Sequence, residues 1–220
     1  MRLIHTAIKQ VTANYRAYLL ALAIPGLLLT FAWFFGRMKG IELGDLTRDP
    51  NTVLKGHVYT GMISNAGIFF WSASATICLF TAALYRILRA DKIKMLLMFF
   101  AGALSLVMGF DDVFQMHEKM FNDIRYIPEQ LFFLAYALFM AFIVLVCYRE
   151  FIQTDFTMWL MALGLFMISL LIDHDFIVIR NDHAFWEDSF KFAGIVAWTV
   201  YYLRTSMQYI LSLKPEPGKS

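Results

Sequence analysis

Carboxylate side chains occur close together in three separate stretches of this sequence, two of which also contain a histidine. The stretches are Asp111–Glu118, Asp173–Asp175 and Glu187–Lys191. Neutral imidazole nitrogens and carboxylate oxygens are common ligands of Zn²⁺, Fe²⁺, Mn²⁺ and Cu²⁺ in proteins. We therefore predict a site for one divalent transition metal (Zn, Fe, Mn or Cu), with Asp111, His117 and His174 as its ligands.

A metal at this position would supply hydrolytic chemistry. A bound divalent cation acidifies its water ligand and so makes hydroxide available beside the lipid headgroups. Glu118 or Asp173 is then the expected general base. Lys191, together with Glu187, is expected to orient a polar headgroup or to stabilise developing negative charge. The set predicts a metal-dependent hydrolase, or a related enzyme, that acts on a lipid or another membrane-partitioned substrate.

The same residues allow two other interpretations. Without a metal they could relay protons or bind a cation, as in a channel or transporter. However, no acid lies in the central part of any apolar run, and the sequence has no internal repeat of the kind that transporters show. The residues could also tie helix ends together in a non-catalytic subunit of a larger membrane complex. No His-Glu-x-x-His motif decides between these interpretations.

The composition indicates that the chain lies in a membrane. Of its 220 residues, 60% are hydrophobic and only 16% are charged, and the mean hydropathy is +0.59. A soluble chain of 25.5 kDa could not hide that much apolar surface in one core. A cytoplasmic enzyme, a disordered chain and a disulfide scaffold are excluded, the last because only 2 Cys are present. A net charge of +2 is too small to indicate a nucleic-acid partner.

Six apolar runs are long enough to be membrane spans. They are approximately Ala17–Phe35, Asn65–Leu88, Lys94–Phe110, Pro128–Tyr148, Thr157–Ile172 and Trp186–Arg204. The runs lack the alternation of barrel strands, so we predict an all-α, polytopic bundle of six transmembrane helices. The third run is expected to continue as a helix through Asp111–Asn122, and the fifth through Asp173–Ile179.

The domain organisation and the orientation follow from this span count. Residues 1–16 are predicted to be an amphipathic cytoplasmic lead-in, residues 17–210 the transmembrane domain, and residues 211–220 a disordered cytoplasmic tail. The short loop Arg86–Lys94 carries four cations, so by the positive-inside rule we predict that both termini lie in the cytoplasm. The membrane is predicted to be the plasma (inner) membrane. The three acidic stretches, with four of the 5 His, then lie on the extracytoplasmic side.

Helical spacing predicts how these residues are arranged. Asp111 and Glu118 are seven apart, so they share a helix face with Gln115. Glu187 and Lys191 have the i, i+4 spacing of a favourable ion pair. His183 is expected in a turn. The aromatic residues are expected mainly to face lipid or to anchor the membrane interface, among them Trp71, Trp159 and Trp198.

Partners follow from the membrane assignment. The lipid bilayer itself is one, and a lipid substrate is a second. A homo-oligomer or a membrane complex is also compatible with the sequence.

Overall fold

The computed structural model is built from α-helices. It describes residues 5, 9, 11–48, 50–57, 59–116, 128–179 and 182–213. Within these ranges no strand occurs. The helices are α1 (Tyr15–Lys39), α2 (Pro50–Val53), α3 (Met62–Ile87), α4 (Lys92–Phe114), α5 (Glu129–Val146), α6 (Tyr148–Phe151), α7 (Phe156–Asp173) and α8 (His183–Ser212). The chain divides into two compact units, Met1–Thr60 and Gly61–Ser220.

The first unit contains the long helix α1 and the short helix α2. The large side chains of α1 are exposed around the helix, Leu22 to 75% and Leu27 to 71%. Such a surface suits a helix whose solvent is lipid. The helix ends at Gly40, which adopts φ +66° and donates its N–H to the carbonyl of Gly36. Only glycine takes that backbone conformation without a steric penalty, so it defines the end of α1.

The second unit is organised around α8. This helix packs along α3 on one side and along α7 on the other, while α3 also packs along α4. Helix α5 contacts α4 and the short helix α6 that follows it. The turn between α3 and α4 is tight because the Asp91 carboxylate caps α4, accepting the N–H groups of Ile93 (2.8 Å) and Lys94 (3.1 Å).

Polar side chains in this helical core are paired across helices. Ser74 on α3 donates to the Thr199 hydroxyl on α8 over 2.8 Å, and the indole N–H of Trp198 donates to Ser105 on α4 over 2.9 Å. Tyr85 donates its hydroxyl to the carbonyl of Tyr209 over 2.7 Å. Since lipid offers no partner for such groups, these bonds select which faces of α3, α4 and α8 meet.

Four helices of the described chain are long and apolar enough to cross a membrane. They are Ala21–Lys39 within α1, Met62–Ile87, Lys92–Phe114 and Phe156–Asp173. The predicted count of six is therefore not confirmed. The apolar part of α5, Gln130–Val146, is shorter. Helix α8 carries more polar residues, which its position between α3 and α7 allows because Thr199, Thr205 and Ser206 are buried against protein.

The predicted extension of α7 is wrong, and the predicted extension of α4 is interrupted after Phe114. Helix α7 ends at Asp173, and Asp175 has φ +58°, so no helix continues to Ile179. Helix α4 ends at Phe114, where Gln115 adopts φ +47° and returns its N–H to the carbonyl of Asp111. A left-handed residue terminates each helix just after its acidic residues. The rest of the predicted Asp111–Asn122 extension, and the tail from residue 214, lie outside the described residues.

Candidate functional site

A cavity of about 630 Å³ lies within the second unit, where α4 and α7 end and α8 begins. Five charged side chains line it: Asp111, Asp112, Asp173, Glu187 and Lys191. They come from the last turn of α4, the last residue of α7 and the first turns of α8. Because the C-terminal ends of α4 and α7 meet the N-terminal end of α8, one end of the bundle collects these charges.

Asp112 connects three helices at the cavity wall. Its Oδ1 lies 2.7 Å from Nζ of Lys191 on α8, and its Oδ2 accepts the indole N–H of Trp71 on α3 over 2.8 Å. The Asp112 side chain is only 12% exposed. An ion pair withdrawn from water needs such additional hydrogen bonding to offset the loss of hydration. The arrangement therefore holds both charges at fixed positions beside the cavity.

Asp111 is the most deeply buried of the cavity acids. It is 4% exposed, and its Oδ2 accepts the hydroxyl proton of Tyr136 on α5 over 2.9 Å. This bond crosses the cavity region from α4 to α5. A buried carboxylate is costly without such a donor, so Tyr136 stabilises both the charge and the position of α5.

Asp173 and Glu187 form the more open part of the charged end. The Asp173 side chain is 41% exposed, with Nδ1 of His174 at 3.8 Å from its Oδ2. Ser169 on α7 donates to the main-chain carbonyl of Glu187 over 3.1 Å, which joins the end of α7 to the start of α8. Within the described residues the Glu187 carboxylate makes no hydrogen bond or ion pair. It is therefore available to a bound molecule.

Apart from Tyr136 and Ser169, the remainder of the cavity is lined by aromatic and aliphatic side chains. Trp159, Leu163, Phe166 and Leu170 line it along α7, and Phe133 and Met140 line it on α5. From Trp159 to Asp173 the helix rises by about 21 Å at 1.5 Å per residue. The cavity is therefore elongated, with carboxylates at one end and aromatic and aliphatic side chains along its length. A volume of this size is typical of small-molecule sites.

The sequence-predicted site residues are partly brought together. Asp111, Asp173, Glu187 and Lys191 line the same cavity, whereas His117 and Glu118 lie outside the described residues. His174 is the C-cap residue of α7, and its ring lies 6.4 Å from that of Phe133. It is not among the residues that line the cavity. In the described part of the chain, no three His, Cys, Asp or Glu side chains form a group that could hold a metal.

Several contacts in the structure differ from those expected from the sequence. The predicted Glu187–Lys191 ion pair is absent from the described contacts, since the Lys191 ammonium group lies against Asp112 instead. His183 is the first residue of α8, with Nε2 at 2.8 Å from the Ile172 carbonyl oxygen, and so belongs to a helix rather than a turn. Gln115 is exposed at the end of α4 and does not extend an inward stripe.

The sequence did not reveal the polar partners of the two aspartates. Trp71 was expected to face lipid but is 2% exposed, and Trp159 and Trp198 are buried as well. An indole or phenol in an otherwise apolar span is the available signal, because its polar atom needs a partner when buried. Trp71 and Tyr136 carry that signal, but it does not identify which acid they contact.

The comparisons with known proteins match one family model but no individual protein. No curated protein and no solved structure matches the chain. The model of a family described as "Domain of unknown function (DUF8692)" matches residues 19–205. This range covers most of the chain and includes every residue that lines the cavity, and the chain therefore belongs to that family.

Proposed function

We propose that this chain is a six-span integral membrane protein whose acid-lined cavity is the active site of an enzyme. The enzyme acts on a lipid or another membrane-partitioned substrate by hydrolysis. Both termini lie in the cytoplasm, and the cavity's charged end lies near the extracytoplasmic interface of the plasma (inner) membrane. Helices α5 and α8 supply the two spans beyond the four that are both long and apolar enough to cross a membrane.

One observation carries this proposal. A single cavity combines carboxylates and a lysine at one end with an apolar wall of about 17 Å along α7, from Trp159 to Leu170. Ionisable groups at membrane depth are costly and mark functional sites. An apolar interior beside them is suited to the chain of an amphipathic molecule. A structural cluster of salt bridges would not need the adjoining space.

The residues divide into reacting and positioning groups. Asp173, which is accessible from the cavity, is the general base that takes a proton from the attacking water. Lys191 stabilises the negative charge that develops on the substrate oxygen, while Glu187 orients the polar headgroup. Asp112 and Trp71 hold Lys191 in place and act as positioning residues.

Metal dependence is a separable part of the proposal. A three-ligand site here would have to use a side chain beyond the described ones, and His117 and Glu118 are the sequence's candidates. Elemental analysis of purified protein tests this directly. We expect one divalent transition metal per chain, lost in Asp111→Asn, His117→Ala and His174→Ala. If metal-free protein still turns over lipid, the metal is excluded from the proposal and the carboxylate mechanism stands without it.

Lipid turnover in proteoliposomes tests the enzyme proposal. Vesicles made from a total lipid extract of the source cells, with and without the purified protein, are compared by mass spectrometry over time. We expect one lipid class to decrease while its cleavage products increase. The variant Asp173→Asn should slow this turnover by about 100-fold or more, the usual contribution of a general base.

Asp188→Asn is the matched control for that assay. Asp188 is an exposed carboxylate on α8, directly after Glu187, and does not line the cavity. We expect this variant to retain turnover. Equal lipid profiles with and without the protein would contradict the enzyme proposal. A pH-driven proton or cation flux in the same vesicles would instead support conduction.

A further inference from the structure

The charged end of the cavity has an excess of negative groups. Lys191 is the one cation among its described lining residues, and it lies 2.7 Å from Asp112. Asp173 and Glu187 still present carboxylates to the cavity beyond that pair. The nearest imidazole to Asp173 is that of His174 at 3.8 Å, which offsets the charge only when protonated. An anionic ligand group would therefore meet repulsion at this end, whereas a cation would be attracted.

Glu187 is the strongest candidate for contact with such a cation. Its side chain is half-buried at the start of α8, and Asp173 and Asp188 add negative potential around it. Lys191 and His183 act in the opposite direction. Because its carboxylate has no hydrogen-bond donor within the described residues, both oxygens can accept from a bound ammonium group.

The apolar part of the cavity selects the rest of the ligand. Trp159, Leu163, Phe166 and Leu170 follow one another at helical spacing along one face of α7. This face leads from the carboxylates to Trp159, which is 7% exposed. An elongated space of this kind fits one extended alkyl chain. A small polar cation would leave these walls uncovered.

We propose that the cavity binds a single-chain amphiphile with an ammonium head group. The head contacts Glu187, with the charge of Asp173 nearby, and the chain lies along α7 with its end toward Trp159. The inference rests on the proposed function, which makes this cavity the substrate site, and adds the substrate class. The excess negative charge at one end of the cavity favours an ammonium head group, and the length of the apolar wall favours one extended alkyl chain.

Tryptophan quenching by a brominated chain measures this binding without any turnover. The probes are three long-chain molecules of equal length with a bromine at the chain end and an amine, a phosphate or an alcohol as head. The protein is the full chain in neutral phosphatidylcholine vesicles. We expect the amine to quench saturably, with an affinity at least tenfold above that of the phosphate and of the alcohol.

Variants and competitors assign the quenching to the cavity. Trp159→Phe should remove most of the saturable quenching, because the bromine lies beside that ring. Glu187→Gln should weaken amine binding about tenfold, while Asp188→Asn should weaken it far less, because Asp188 adds potential but does not line the cavity. An unbrominated long-chain amine should compete, and a short-chain amine at the same concentration should not.

Equal affinities for the three heads, or a preference for the phosphate, would overturn the inference. The comparison uses the wild-type protein, so it holds even where Glu187→Gln fails to fold. Competition by the short-chain amine would instead indicate a site for a free cation and would also overturn it. If the amine does not bind but lipid turnover still depends on Asp173, the head-group inference fails and the proposed function stands. The reverse outcome, selective amine binding without turnover, removes the hydrolase and keeps the binding site.

Discussion

At the residue scale, the cavity acids differ in how they are held. Asp111 and Asp112 are withdrawn from water and bonded to Tyr136, Trp71 and Lys191. Asp173 and Glu187 face the more open part of the cavity. Carboxylates with fixed donors stabilise structure, whereas carboxylates without them are free to meet a ligand. The two kinds of acid should therefore respond differently to substitution.

Tyr136→Phe tests the buried hydrogen bond of Asp111. The change removes the donor to Asp111 Oδ2 but keeps the ring, so we expect a loss of about 1–3 kcal/mol in the free energy of unfolding. Unfolding in a denaturing detergent, followed by circular dichroism, measures it. Asp111→Asn in the Tyr136→Phe background should show non-additive losses. Full additivity would mean that the two side chains are not coupled.

Lys191→Met tests the ion pair with Asp112. It leaves a mostly buried carboxylate without its ammonium partner, and we expect the protein to lose about 1–3 kcal/mol of stability, less than a fully buried pair would cost. Asp112→Asn should recover much of this loss when combined with Lys191→Met. The same unfolding assay gives the coupling energy. A double variant no more stable than Lys191→Met alone would contradict the pairing.

At the scale of elements, the α7–α8 contact determines the shape of the cavity. Gly194 on α8 allows this close approach, since a Cβ there would lie 2.8 Å from the ring of Phe166 and 3.3 Å from the Ala162 carbonyl oxygen. Phe166 lines the cavity and stacks on Trp71 with ring centroids 5.9 Å apart. A side chain at Gly194 would therefore disturb both the helix interface and the cavity wall.

Gly194→Ala tests this contact, with Gly164→Ala as its matched control. Gly164 lies within α7 and has no neighbouring atom within 4 Å of an added Cβ. We expect Gly194→Ala to lower stability by about 1–3 kcal/mol through overpacking. Gly164→Ala should leave stability unchanged or raise it by about 0.5–1 kcal/mol, as alanine favours helix. Equal effects of the two substitutions on thermal unfolding would count against the close packing of α7 on α8.

The elements also show what sequence reasoning could recover. The long apolar runs predicted the helices, because hydropathy depends on composition alone. The helix ends at Phe114 and Asp173 were missed, since they depend on left-handed residues, Gln115 and Asp175, that no glycine marks. The convergence of Asp111, Asp173 and Glu187 could be predicted, because consecutive spans alternate in direction and bring these helix ends to the same side. Contacts such as that of Tyr136 with Asp111 could not be predicted, because they depend on how α5 is rotated about its axis relative to α4.

At the scale of the whole molecule, the proposed topology places one charged face outside the cell. With six spans and a cytoplasmic N-terminus, the α3–α4 loop lies inside and the α7–α8 loop lies outside. Arg89 and Asp175 occupy these two loops, and Asp175 has an 81% exposed side chain. The buried Cys78 and Cys147 are replaced first, so that each reporter cysteine is the sole thiol.

Cysteine labelling in intact cells measures that topology. A membrane-impermeant maleimide should label Asp175→Cys from outside, and should label Arg89→Cys only after the membrane is permeabilised. This outcome follows from the four cations of the Arg86–Lys94 loop. Labelling of Arg89→Cys in intact cells would reverse the orientation. Labelling of both sites from one side would contradict the odd number of spans proposed between them, α4, α5 and α7, and with it the assignment of α5 as a span.

Filling the cavity tests most directly whether it is the functional site. Ala141 on α5 lines the cavity, whereas Leu138 on the same helix is 61% exposed and does not line it. Ala141→Trp adds bulk to the apolar interior without changing any charge, and Leu138→Trp adds an indole to the outer face. We predict that Ala141→Trp lowers lipid turnover at least tenfold at unchanged melting temperature, while Leu138→Trp retains it. Wild-type turnover in folded Ala141→Trp protein would contradict a role for the cavity.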